Sequence, residues 1–226
     1  MRMRLRFNDF SSYGVRVLAG KVLALFLIVM PAVATAGQVT VAALGDSLTQ
    51  GYGLISQEGF VPQLRDWLAR KGRDVRVVNA GVSGDTSAGG LARVEWTLTP
   101  DVDAMIVALG GNDLLRGIDP AVTRANIEGI LQAANDADVE VLLVGMEAPG
   151  NYGPEYKAEF DAIWPELSRA YGALYHPSFF EGLGADDPAG AMRYMQPDGI
   201  HPNAEGVRRI VERVGPKVIE LIERVQ

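Results

Sequence analysis

Apolar residues run almost without interruption through five short stretches of the chain. These are Val39–Leu44, Val75–Asn79, Ala104–Leu109, Val139–Gly145 and, more weakly, Ala173–His176. Runs of this length, rich in β-branched residues and lacking strict alternation, read as strands covered on both faces. Between them lie longer segments whose apolar residues recur at spacings of three and four, as in Ile127, Ile130, Leu131 and Ala134. That period predicts amphipathic helices over Gly59–Lys71, Gly89–Leu98, Pro120–Ala137, Pro154–Tyr171 and Ala204–Val225. Asp119 before Pro120 is a candidate N-cap, and Asn203 is placed to cap the last helix. Strands alternating with helices imply a parallel sheet with helices on both faces and right-handed crossovers.

Composition narrows this picture. The 226 residues suit one domain, 48% hydrophobic residues suffice for a core, and no repeat or linker marks a second unit. The absence of cysteine excludes disulfides, thiol nucleophiles and cysteine-ligated zinc. Residues 1–36 carry the pattern of a cleaved secretory signal peptide. Arg2, Arg4, Arg6, Arg16 and Lys21 precede the apolar run VLALFLIVM, and Ala34-Thr35-Ala36 forms an A-x-A cleavage site before Gly37. The nine-residue run is short of the roughly 20 residues that span a bilayer. The domain is therefore expected over 37–226, exported to the periplasm or medium and without a stable membrane anchor. Residues 1–36 hold five basic groups and Asp9, so the net charge of −7 becomes −11 after cleavage. Such an acidic product repels nucleic-acid phosphates, and a nucleic-acid partner is not expected.

In parallel α/β sheets, ligands bind outside the carboxyl ends of the strands. The polar motifs of this chain fall there. Ser47 follows the first strand, AGVSGDTS (80–87) the second, GGND (110–113) the third, EAPGNYG (147–153) the fourth and DGIHPN (198–203) the fifth. A serine nucleophile needs a neighbouring base. The chain has two histidines, and only His201 has a nearby acid, Asp198, three residues before it. That spacing lets the carboxylate reach Nδ1 and leaves Nε2 free for a serine. An Asp-Gly turn feeding a capped helix accounts for the same residues. Gly84, Asn112 and the Ser47 backbone N–H are candidate donors to a developing oxyanion, and each also fits an ordinary turn or cap. Asp46, Asp85 and Asp113 read as loop supports, and His176 as structural.

Taken together, the blocks LGDSLTQGYG, VVNAGVSGDTSAGGLAR, LGGNDLLRG, NYG and DGIHPN resemble the GDSL, or SGNH, hydrolases. The likeness is strongest to the bacterial thioesterase I, lysophospholipase and arylesterase group and runs through the whole segment after residue 36. It implies Ser47 as nucleophile, Asp198 and His201 as its acid and base, and Ser47, Gly84 and Asn112 as the oxyanion hole. It also implies a flavodoxin-like three-layer α/β/α sandwich with five parallel strands, no metal or organic cofactor, and small ester, thioester or lysophospholipid substrates. Leu114, Leu115, Pro149, Asn151 and Tyr152 are candidate substrate contacts, with Phe179, Phe180, Leu183, Met192 and Met195 further candidates for an acyl pocket. Two other readings stay open on sequence alone. One is a metal-dependent phosphoesterase, for which two histidines supply few ligands; the other is a non-catalytic lipid- or carbohydrate-binding module.

Overall fold

The protein is described by a computed structural model over residues 37–184 and 188–226. The expected signal peptide lies outside the described residues. Five parallel strands form one sheet in the order β2-β1-β3-β4-β5. They are β1 (Val39–Gly45), β2 (Val75–Gly81), β3 (Ala104–Ala108), β4 (Glu140–Val144) and β5 (Leu174–His176). This is the flavodoxin-like order, in which the chain reverses its direction of travel across the sheet between β1 and β3. Val41 of β1 lies opposite Val77 of β2 and Ala104 of β3, so β1 is an interior strand paired on both sides.

The strands are apolar because helices cover both faces. Helices α2 (Phe60–Arg70) and α8 (Ala204–Arg224) pack together on one face. Helices α3 (Ser87–Thr97), α5 (Pro120–Asp136) and α6 (Pro154–Tyr171) cover the other. Every residue of β1 and β3 is buried, as central strands require. The expectation of continuous burial fails for β2, where Arg76 and Asn79 face solvent. β2 is an edge strand, and one long side of it has no neighbour.

The caps set the helix starts. Asp119 accepts from Ala121 N–H at 2.8 Å and Asn203 from Gly206 N–H at 3.0 Å. Helix α3 begins two residues earlier than its apolar pattern suggests, because Thr86 and not a later residue is its N-cap. The helical pattern also missed three short pieces: α1 (Ser47–Gln50), α4 (Gly111–Leu115) and α7 (Pro188–Ala191). None is long enough to show a period. Two of these, α1 and α4, begin at the carboxyl ends of β1 and β3 and carry candidate site residues.

Candidate active site

The site starts from a steric requirement in β1. A Cβ on Gly45 would run into the Thr49 side chain and come within 2.8 Å of the Ala108 carbonyl oxygen. Glycine therefore lets the chain turn directly from strand into α1. Asp46 caps that helix, accepting from Leu48 N–H at 2.9 Å through Oδ1. Ser47 is the first residue of α1, so its own N–H lies ahead of the helical hydrogen-bond ladder and points out of the amino end.

The base arrives on the segment between β5 and α8. Gln196 N–H donates to the His201 carbonyl at 2.7 Å, and Asn203 N–H to that of Tyr194 at 2.8 Å, which closes a tight loop. Inside it, Asp198 Oδ1 accepts from the backbone N–H groups of Ile200 and His201, at 2.9 and 3.0 Å. Its Oδ2 lies 2.7 Å from His201 Nδ1. These donors, led by the His201 backbone N–H, hold the Asp198 carboxyl down at about 2. It is thus an acceptor at any physiological pH and selects the Nδ1–H form of the ring. His201 Nε2 then faces Ser47 Oγ at 2.8 Å, across 154 residues of sequence.

Asn112 sits on α4, after β3. Its Nδ2 donates to Asp46 Oδ2 at 3.2 Å, which orients the amide and leaves a second N–H free. Burial pushes the Asp46 carboxyl up to about 6. Gly84 lies exposed in the loop after β2 with φ +83°, a conformation that disfavours any side chain. The structure thus brings together two hydrogen-bonded sets, Asp198–His201–Ser47 and Asp46–Asn112, joined where Asp46 precedes Ser47, and places Gly84 on the same edge of the sheet.

The candidate substrate contacts divide. Leu115 and Tyr152 are exposed, and Tyr152 packs against Gly117 just past α4. Pro149 and Asn151 are exposed on the loop after β4. Leu114, by contrast, is buried in the core. Phe179 and Leu183 are also core residues, with the Phe179 ring 5.3 Å from that of Phe60, so they support the segment after β5 and do not line a groove. Phe180 and Met195 are half-buried against the same core, whereas Met192 is exposed beside Gly199. Asp85 and Asp113 are supports, as expected. Asp85 pairs with Arg93 at 2.6 Å, and Asp113 is fully buried among Ser87 and Thr123. His176 is buried at the end of β5, and its acidic neighbour is one the sequence did not suggest, Glu181, whose Oε2 lies 3.4 Å from Nε2.

Sequence reasoning missed two neighbours of the base. The Tyr52 ring lies against His201 with centroids 4.7 Å apart. Gln196 Nε2 donates to the carbonyls of Tyr52 and Pro202, at 2.8 and 3.0 Å, and so ties the loop after α1 to the loop that carries the base. Tyr52 stood inside the LGDSLTQGYG block five residues after Ser47, which was the one available signal.

Residues 43–209 match the model of the GDSL-like lipase/acylhydrolase family. The chain is similar to the esterase TesA of Pseudomonas aeruginosa, with 40% identity over 184 residues, covering 81% of this chain and 89% of the relative. It is also similar to thioesterase 1/protease 1/lysophospholipase L1 of Escherichia coli strain K12, at 36% over 200 residues, 88% of this chain and 91% of the relative. Among solved structures it is similar to AlinE4, an SGNH-hydrolase family esterase, with a TM-score of 0.67, 42% identity and coverage of 81% of this chain and 96% of that one. With its family blocks on one edge of a flavodoxin-like sheet, and with this likeness along three quarters or more of its length, the chain belongs to the GDSL-like lipase/acylhydrolase family of serine hydrolases.

Proposed function

We propose that Ser47, His201 and Asp198 are the triad of a carboxylic-ester hydrolase, and that Ser47 N–H, Gly84 N–H and the Asn112 side-chain amide stabilise its oxyanion. The observation that carries this reading is the unbroken hydrogen-bonded chain from Asp198 Oδ2 through His201 to Ser47 Oγ, at 2.7 and 2.8 Å. Ser47 Oγ attacks the acyl carbonyl as His201 Nε2 takes its proton. Asp198 stabilises the resulting imidazolium, and the imidazolium returns the proton to the departing alcohol or thiol. Water, activated by His201, then hydrolyses the acyl-serine. Side chains and water supply every step, so the reading needs no cofactor.

The names of the relatives support an ester, an aryl ester, a thioester or a lysophospholipid as substrate, and small aryl and short-chain esters are the forms that this reading takes. A nucleic-acid partner is disfavoured by the acidic charge of residues 37–226. Export with cleavage after Ala36 follows from the basic, apolar and A-x-A pattern of residues 1–36. The test of the reading is covalent labelling with an organophosphonate, located by peptide mass spectrometry. The label is expected on Ser47, and Ser47→Ala should lose on the order of 10⁶ in kcat on an aryl ester. A Ser47→Ala protein that keeps near-normal turnover, or a label elsewhere, overturns it.

A further inference from the structure

Arg116 lies within the LGGNDLLRG block, and the triad and oxyanion donors leave it unused. The geometry points to Arg116 as a positioning residue that fixes the direction of the Gly84 N–H. This rests on the proposed role of that N–H in the oxyanion hole.

The argument begins with the turn that contains Gly84. Asp85 N–H donates to the Val82 carbonyl at 3.1 Å, which closes a four-residue turn over Val82, Ser83, Gly84 and Asp85. Gly84 has φ +83°, whereas Ser83 is not among the described non-glycine residues of positive φ. Negative φ at the second position and positive φ at the third define a type II turn. In the commoner type I turn, the central peptide unit is rotated by about half a revolution. That unit contains the Gly84 N–H. The donor therefore has two discrete directions, and a glycine by itself favours neither strongly.

Something outside the turn has to choose. Ser83 Oγ donates to Gln50 Oε1 at 2.8 Å, and Asp85 pairs with Arg93, but both are side-chain ties. Arg116 acts on the backbone of Gly84 itself, with Nη2 donating to the Gly84 carbonyl at 2.8 Å. The peptide that joins Gly84 to Asp85 is then bonded at both polar ends, its C=O to Arg116 and its N–H to Val82. It is the fixed plane from which the Gly84 N–H is set.

Arg116 also links the two donor loops. It stands four residues after Asn112, and its N–H donates to the Asn112 carbonyl at 3.2 Å. An i, i+4 spacing puts both side chains on one face of the short helix. One short helix and its C-cap residue therefore present the Asn112 amide and reach across to orient Gly84. The two donors move as a unit, which is what preorganised charge stabilisation requires.

The test uses a soluble, uncharged aryl ester and the purified enzyme. Arg116→Ala should lower kcat about tenfold with KM within twofold, less than the 10²–10³ of deleting a donor outright. Arg116→Gln, which retains a neutral donor, should recover part of the loss. Binding of a boronic-acid transition-state analogue should weaken by the same factor as kcat/KM, with the melting temperature unchanged. In a Gly84→Ala background, where the donor is already displaced, Arg116→Ala should cost no more than about twofold, because the two act through one group. An unchanged kcat in Arg116→Ala, full additivity with Gly84→Ala, or a loss confined to KM and to anionic esters would each overturn the proposal. Ser47→Ala serves as the reference. If that variant stays active, the triad reading itself fails; if it is dead and Arg116→Ala is unaffected, only the positioning role fails.

Discussion

At the scale of single residues, Asp46 does more than its sequence neighbourhood suggests. One carboxylate oxygen caps the helix that starts at Ser47, and the other accepts from Asn112. That it supports the loop through a backbone N–H was legible in the sequence, though the short helix it caps was not. The contact with Asn112 was not, because it joins positions 66 apart that only the β1–β3 pairing brings together. Burial, against the pull of these donors, raises its pKa from 3.8 to about 6. A carboxyl raised in the folded state keeps its proton longer there than in the unfolded chain. Its contribution to stability therefore falls as pH rises from about 4 to 6, and above that the ionised form costs about 3 kcal/mol relative to an unshifted carboxyl. Asp46→Asn has no such charge to bury. Urea unfolding should show its stability relative to the parent improving as pH goes from 4 to 7, by up to those ~3 kcal/mol, and then levelling off. Its activity should move the other way. Facing a new amide donor, Asn112 must turn its oxygen toward the oxyanion position, and kcat should drop by roughly 10²–10³. A variant both less stable at pH 7 and fully active would contradict both halves of this account.

At the scale of elements, the long strands and helices followed from pattern, since burial on both sheet faces writes itself into composition and an amphipathic helix repeats often enough to be seen. The pieces that place the chemistry are too short for that. Helix α4 has five residues, is preceded by Gly110 as its N-cap with φ +106°, and is held by Asp113, which has no exposed surface. That carboxylate accepts from Ser87 N–H at 2.7 Å, from Ser87 Oγ and from Thr123 Oγ1 at 3.2 Å, tying α3, α4 and α5 together. Nothing in the sequence marks Asp113 as a junction of three helices, because its partners are 26 and 10 residues away on different elements. Asp113→Ala leaves three buried donors without an acceptor and should cost about 3 kcal/mol. For a domain of this size that is a fall of roughly 6–12 °C in melting temperature by calorimetry. Gly45→Ala tests the turn out of β1. Its new methyl meets Thr49 and the Ala108 carbonyl, so overpacking should cost about 1–3 kcal/mol or more and displace Ser47. Activity at temperatures well below the melting point should therefore fall further than for Asp113→Ala.

At the scale of the whole molecule, the sheet order explains why residues scattered from 46 to 201 meet. The reversal between β1 and β3 opens a crevice at their carboxyl ends, and the loops after those strands flank it. The loop after the edge strand β5 supplies the base from across the sheet, bonded to the loop after α1 through Gln196. The same architecture bears on where the chain can be cut. β1 starts at Val39, which is buried and pairs with Val75, whereas Gly37 and Gln38 are exposed. The hydrophobic core is built from Val39 onward among the described residues. Cleavage after Ala36 thus leaves every sheet pairing of the described residues in place, and a protein begun at Gly37 should unfold cooperatively and turn over an aryl ester at the rate of the processed, exported product. Mass spectrometry of the periplasmic or secreted protein should give Gly37 as its first residue. Starting instead at Ala42 deletes Val39, Thr40 and Val41, and with them three of the seven β1–β2 pairs and both buried valines. Because β1 is an interior strand and carries the Ser47 turn, that shorter chain should be insoluble or inactive. A fully active protein begun at Ala42 would show that the amino-terminal half of β1 is dispensable. Recovery of exported protein with residues 1–36 still attached would show that the segment is retained.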